Sequence, residues 1–182
     1  MIRQDYIMRL IEQLVKVLAK ILFNKQNGNY NEALNNIDNA LSTFAGLDYF
    51  MLNRLSVKDI KTLLSINEEE SSVSVKCIIA AKLLKERTDI LKLNGCKNLE
   101  LIQNYQKALD LYLGCIMNIK SEEMDLGGYY ADIKELAEIL KNEITPEERL
   151  GLAKFYGLLG EYTKAGNELS KLNGSDNTVN KG

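Results

Sequence analysis

Apolar residues near the start of the chain fall at Ile7, Leu10, Ile11, Leu14, Val17, Leu18, Ile21 and Leu22, a three-four spacing that lines one side of a helix. The pattern predicts a helix over about 3–25. Asn27-Gly28 then supplies a residue able to take the left-handed conformation that closes a helix end. A second amphipathic stretch begins at once. In GNYNEALNNIDNAL, residues 28–41, the positions Tyr30, Ala33, Ile37, Ala40 and Leu41, with Phe44 beyond, predict a helix over about 30–44. Ala33 and Ala40 are small where large neighbours would be expected. Two antiparallel helices joined by a short turn need small side chains where their backbones approach, so the two segments read as a tight helical hairpin.

The same reasoning covers the rest of the chain. Ser56 with Asp59 three residues on forms a capping box and predicts a helix over 57–65. Glu68, Glu69 and Glu70 precede the apolar run Val73, Val75, Cys77, Ile78, Ile79, Leu83 and Leu84, where acids complement the positive end of a helix dipole. Leu93-Asn94-Gly95 ends that helix, and further helices are expected over about 97–119 and, after the Gly127-Gly128 break, 129–142. Thr145 as cap, Pro146 at the first helical position and Glu148 at the box position mark the sharpest boundary in the chain. Helices over 148–158 and 162–172 complete the pattern, with Gly160 at their turn. Residues 173–182, NGSDNTVNKG, carry no apolar periodicity and are expected to form a flexible tail. The chain is thus expected to be all-α, with about seven to eight helices in a single domain over 1–172.

Gly28, Tyr30 and Ala33 recur at the same spacing as Gly160, Tyr162 and Ala165, and Tyr105, Ala108, Tyr112 and Cys115 form a weaker copy without the glycine. These residues resemble the tetratricopeptide repeat, which implies an array of antiparallel hairpins in a right-handed superhelix, with a groove lined by first-of-pair helices such as 148–158. Ala33, Ala108 and Ala165 lie 75 and 57 residues apart, whereas an uninterrupted array would give multiples of about 34. The array implied is therefore irregular. MIRQDYIMRLIEQL followed by a GxYxEAL hairpin also resembles an uncharacterised family of clostridial and related bacterial proteins, a resemblance that implies no activity.

Composition narrows the function classes. A formal charge of -2 offers no basic field for nucleic acid. Arg9, Glu12, Lys16 and Lys20 interrupt the apolar first helix, so no membrane crossing is expected and a cytoplasmic location follows. Cys77, Cys96 and Cys115 are odd in number and widely spaced, which is no disulfide framework. Cys77 and Cys115 read as small buried hydrophobes. The absence of histidine removes Ser/His and Cys/His nucleophile pairs and imidazole metal sites. Glu135 with Glu138 and Glu147 with Glu148 read as a solvated face, and the consecutive acids at 68–70 diverge around a helix and cannot converge on a metal. Tyr129-Tyr130 suggests one core ring and one partner anchor. Lys154 alone is too little for a peptide-carboxylate clamp. No catalytic, cofactor or metal residue is assigned. The expectation is a non-catalytic module that binds a protein or peptide partner. The alternative is a homo-oligomer assembled through the first helix, and an enzyme using carboxylates or lysines is the weakest reading.

Overall fold

The computed structural model describes residues 2–66, 68–96, 99–115 and 128–175. These form nine helices and no strand: α1 (Ile2–Gln26), α2 (Tyr30–Ala40), α3 (Tyr49–Arg54), α4 (Val57–Leu64), α5 (Glu70–Leu93), α6 (Leu99–Cys115), α7 (Tyr129–Ile139), α8 (Pro146–Leu158) and α9 (Tyr162–Ser175). Three hairpins organise the chain, α1 with α2, α5 with α6 and α8 with α9. Helix α5 is the axis. It touches α1, α2, α4, α6 and α7, and Val75, Ile79, Ala80, Leu83, Leu84 and Ile90 are sealed from solvent around it. A helix apolar on most sides belongs at the centre of a bundle. Helix α8 joins the rest by crossing α6, where a Cβ added to Gly151 would stand 2.9 Å from the Leu113 side chain.

The first turn forms as its residues dictate. Gly28 takes φ 73°, and α2 starts two residues later. Ala33 and Ala40 are buried, and Ile21 faces them from α1 with no exposure, so the small residues lie at a helix crossing. Gly160 repeats the geometry with φ 72° ahead of Tyr162. The two copies differ in burial. Tyr30 and Ala165 are half-buried and Tyr162 is 75% exposed, because α9 packs chiefly on α8.

Both capping boxes are present. Ser56 Oγ accepts from Asp59 N–H at 3.1 Å, and Thr145 Oγ1 from Glu148 N–H at 3.2 Å. Each acid accepts in return from the cap's backbone N–H. Glu148 is therefore a buried cap and no part of a solvated face. Three boundaries depart from expectation. Helix α2 gives way at Leu41 to a wider turn over 41–45, closed by Gly46 at φ 68° and by the Leu47 N–H reaching Leu41 O. The extra residue per turn brings Leu41, Phe44, Ala45 and Leu47 all into the core. The short α3 has no apolar period to betray it and is held by the Asp48 carboxylate accepting from Met51 N–H at 2.7 Å. Helix α9 continues to Ser175, three residues beyond the expected end. Residues 176–182 of the expected tail, and parts of the expected helix over 97–119, lie outside the described residues.

Candidate functional site

Two polar constellations break the apolar interior. The first lies along α5. Lys82, Lys85, Glu86 and Asp89 follow a three-one-three spacing that puts all four on one face, between α1, α6 and α7. Lys25 from α1 donates to Glu86 at 2.9 Å and to Asp89 at 3.1 Å. Lys82 donates to both oxygens of Asp132 on α7, at 3.0 and 2.8 Å. Lys85 lies 3.1 Å from Asp89 and 2.9 Å from Glu135. Tyr105 donates to Asp89 and Tyr112 to Asp132, each at 2.8 Å. Burial alone would raise the Asp89 carboxyl, but the charges of Lys85 and Lys25 and the Tyr105 hydroxyl outweigh it and hold the group below the ordinary value. Burial alone would lower Lys85. Its bond to Glu135 and the charges of Asp89 and Asp132 raise it instead. Each lysine faces a carboxylate and each buried hydroxyl an acceptor, so the cluster is closed on itself and fixes how α1, α6 and α7 seat on α5.

The second constellation is open. A groove of about 400 Å³ runs between α4, α6 and α8, lined by Val57, Asp110, Leu113, Glu147, Gly151 and Lys154 among others. Asp110 is a half-buried acid in its wall. Among the described residues it accepts no hydrogen bond and joins no ion pair. Burial, then the charges of Glu148 and Glu147, push its carboxyl up to about 6 against the weaker pull of Lys61. A half-buried acid with two acidic neighbours and no cation in contact is poised to receive a positively charged group. The apolar wall of Val57, Leu113 and Leu150 would cover that group's hydrocarbon stem.

The structure separates the residues singled out in the sequence. Lys154 stands exposed at the groove rim. Glu147 is exposed beside it, so only this half of the Glu147/Glu148 pair is free to face a ligand. Glu135 is tied to Lys85 and Glu138 is exposed on α7, and the two make no shared site. Tyr129 is buried, with its ring centroid 6.3 Å from Tyr112. Tyr130 is no free anchor: it packs 4.4 Å from Tyr129 and 5.7 Å from Phe155. Among the described residues no group of three or more Cys, Asp or Glu side chains is placed to hold a metal ion, and no helix is long and apolar enough to cross a membrane.

The charged face of α5 escapes a search for apolar periodicity because hydrophobic residues surround it on every other side. Its signal is the reverse pattern, charges at helical spacing inside an apolar helix. Asp110 gives no sequence signal, since its isolation depends on where α8 lands.

The chain is an all-helical protein built from antiparallel hairpins around one buried helix. Residues 1–139 match a family of unknown function, DUF6483, and the chain belongs to that family. The match ends with α7, so the α8–α9 hairpin and its wall of the groove lie beyond it. No curated protein and no solved structure matches the chain.

Proposed function

We propose that this protein is a non-catalytic recognition module, working in a reducing compartment such as the bacterial cytoplasm, that binds a protein segment carrying a basic side chain in the groove between α4, α6 and α8. The observation that carries the reading is Asp110, an acid without a partner among the described residues, set in an apolar-walled cleft beside Glu147 and Glu148. A lysine or arginine there would form a charge-assisted hydrogen bond, while neighbouring apolar residues of the segment pack on Leu113, Leu150 and Val57. The tetratricopeptide-like spacing lends support only at α8, the first helix of its hairpin, since first-of-pair helices line the groove of such arrays. Closure of the α5 cluster favours binding over turnover, because its acids and lysines are already spent on one another.

Selection from a random peptide display library tests the reading. The parent protein should enrich peptides with a lysine or arginine flanked by apolar residues. Asp110→Asn should weaken the selected peptides by about tenfold or more, the worth of a charge-assisted bond of about 1.5–3 kcal/mol. A change on the far side, such as Glu12→Gln, should leave them unchanged. Enriched peptides that lack basic residues, or that bind Asp110→Asn as well as the parent, would sink it.

A second reading rests on α1. Met8, Val15 and Leu22 are exposed at seven-residue spacing, with Ile11 and Leu18 half-buried between them. This is a coiled-coil-like seam distinct from the core face at Leu10, Leu14 and Ile21. It favours self-association of two copies through α1. Light scattering decides: a dimer that dissociates on Val15→Glu supports this reading, and a monomer at all concentrations removes it.

A further inference from the structure

The groove between α4, α6 and α8 changes charge along its length. Glu147, Leu150, Gly151 and Lys154 all line it, at positions i, i+3, i+4 and i+7 of one face of α8. Glu147 and Lys154 therefore stand two turns apart, about 10 Å along the helix axis. Asp110 belongs to the acidic end: the charges of Glu148 and Glu147 reach its carboxyl, and the cation that reaches it is Lys61 and not Lys154. Between the ends the lining is apolar. The Leu113 side chain lies over Gly151, 2.9 Å from where a Cβ would stand, and Leu150 and Val57 complete the wall. No acid answers Lys154 within α8, since the residues one turn away are Leu150, Gly151, Gly157 and Leu158. It joins no ion pair among the described residues.

We propose, on the basis of the recognition reading of Asp110, that the groove takes a dipolar segment of a partner protein. The segment is extended, with a lysine or arginine on Asp110 and Glu147 and an aspartate or glutamate on Lys154, about three residues apart at about 3.3 Å per residue. The residues between them are apolar and meet Leu113 and Leu150. A helical segment does not suit the space. A 10 Å length of helix about 10 Å across fills about 800 Å³, twice the groove's volume of about 400 Å³. Lys154 also decides what is refused. The acids alone would welcome a polybasic tract or a linear polyamine, but either would set a second cation against Lys154, and like charges brought together discriminate against a wrong partner.

The experiment titrates synthetic peptides against the full chain by fluorescence anisotropy. The peptides are acetylated and amidated, so their ends carry no charge. Each holds one lysine and one glutamate in a background of alanine, leucine and serine, in both orders and at a graded series of spacings. Binding should be tightest with the two charges about three residues apart, in one of the two orders. Replacing that peptide's glutamate with glutamine should weaken it about threefold, the scale of an exposed pair. Lys154→Glu, with unchanged circular dichroism, should bind the glutamate peptide at least about fivefold more weakly than the parent does and the glutamine peptide equally well. It should bind the peptide with a second lysine in place of glutamate more tightly than the parent does. Lysine peptides that bind the parent without preference for the glutamate or its spacing, or that bind Lys154→Glu as the parent, overturn the dipolar segment and leave the reading of Asp110 standing. Lysine peptides that do not bind the parent, or that bind Asp110→Asn equally well, overturn both.

Discussion

Asp132 is the residue whose loss the fold should feel most. Its side chain is 8% exposed and accepts three hydrogen bonds, two from Lys82 and one from Tyr112. Asp132→Ala strands both donors. The Tyr112 ring has no exposure, so its hydroxyl loses its acceptor with no water to replace it, at about 1–3 kcal/mol. Breaking a buried ion pair from one side costs about 3–5 kcal/mol. Here the lower end applies, because the Lys82 side chain is 17% exposed and still has Glu86 at 3.8 Å. Alanine returns up to about 0.7 kcal/mol of helix propensity. The net expectation is a loss of about 3 kcal/mol, which for a chain of this size lowers Tm by about 6–12 °C. Asp132→Asn keeps an acceptor for Tyr112 and should cost about half as much. Urea unfolding followed by circular dichroism measures both. If the alanine variant unfolds within about 1 kcal/mol of the parent, the α5 cluster does not hold the helices in register and the reasoning fails.

The same cluster sets a pH window. Asp89 is lowered in the folded state, so its contribution is present above the unfolded value of about 3.9 and is lost as pH falls through the folded value. Lys25 and Lys85 are raised, so theirs is present below about 10.4 and is lost as pH climbs past it. Stability measured as the urea midpoint should therefore fall away at both extremes, and Asp89→Asn should remove part of the acid limb. Thr145→Ala should cost about 1 kcal/mol by thermal melting, since the box at α8 is complete. Ala33→Leu should destabilise by about 1–3 kcal/mol, while Ala165→Leu, half-buried on the outer hairpin, should cost less than about 1 kcal/mol. Equal losses at the two alanines would mean that α9 is covered as fully as α2.

Local signals carry the fold a long way. The Ser56 and Thr145 boxes and the turns at Gly28 and Gly160 are set by a few neighbouring residues, and each forms where its residues stand. Ala33 and Ala40 are legible because a hairpin joined by a short turn leaves one crossing geometry. Burial at α9 is not legible. Ala165 repeats the motif, but its exposure depends on whether another helix packs over α9, which its neighbours in the sequence do not encode. The wider turn at Leu41 is a tertiary outcome, chosen because it buries Phe44 and Ala45 together. Of the groove, the sequence shows only a face of the helix over 148–158. Its Asp110 comes from α6, 37 residues before Glu147, and no periodicity links the two.

Stability and recognition should pull in opposite directions at Asp110, and measuring both on one variant tests the central claim most directly. The carboxyl is raised in the folded state to about 6, so its ionisation opposes folding, and stability declines as pH rises from about 4 to about 6. Asp110→Asn removes that opposition. With solvent screening of a group this open, the gain at neutral pH is no more than about 1 kcal/mol, and it vanishes below about pH 4. A cost to the fold at a group that binds a ligand is the usual trade-off between stability and function. Titration of a selected basic peptide against parent and Asp110→Asn, alongside their urea midpoints at neutral pH, should show a variant that is slightly more stable and binds at least about tenfold more weakly. A variant that is less stable than the parent and binds the peptide equally well would contradict the account, making Asp110 part of the scaffold and leaving the groove without its recognition element.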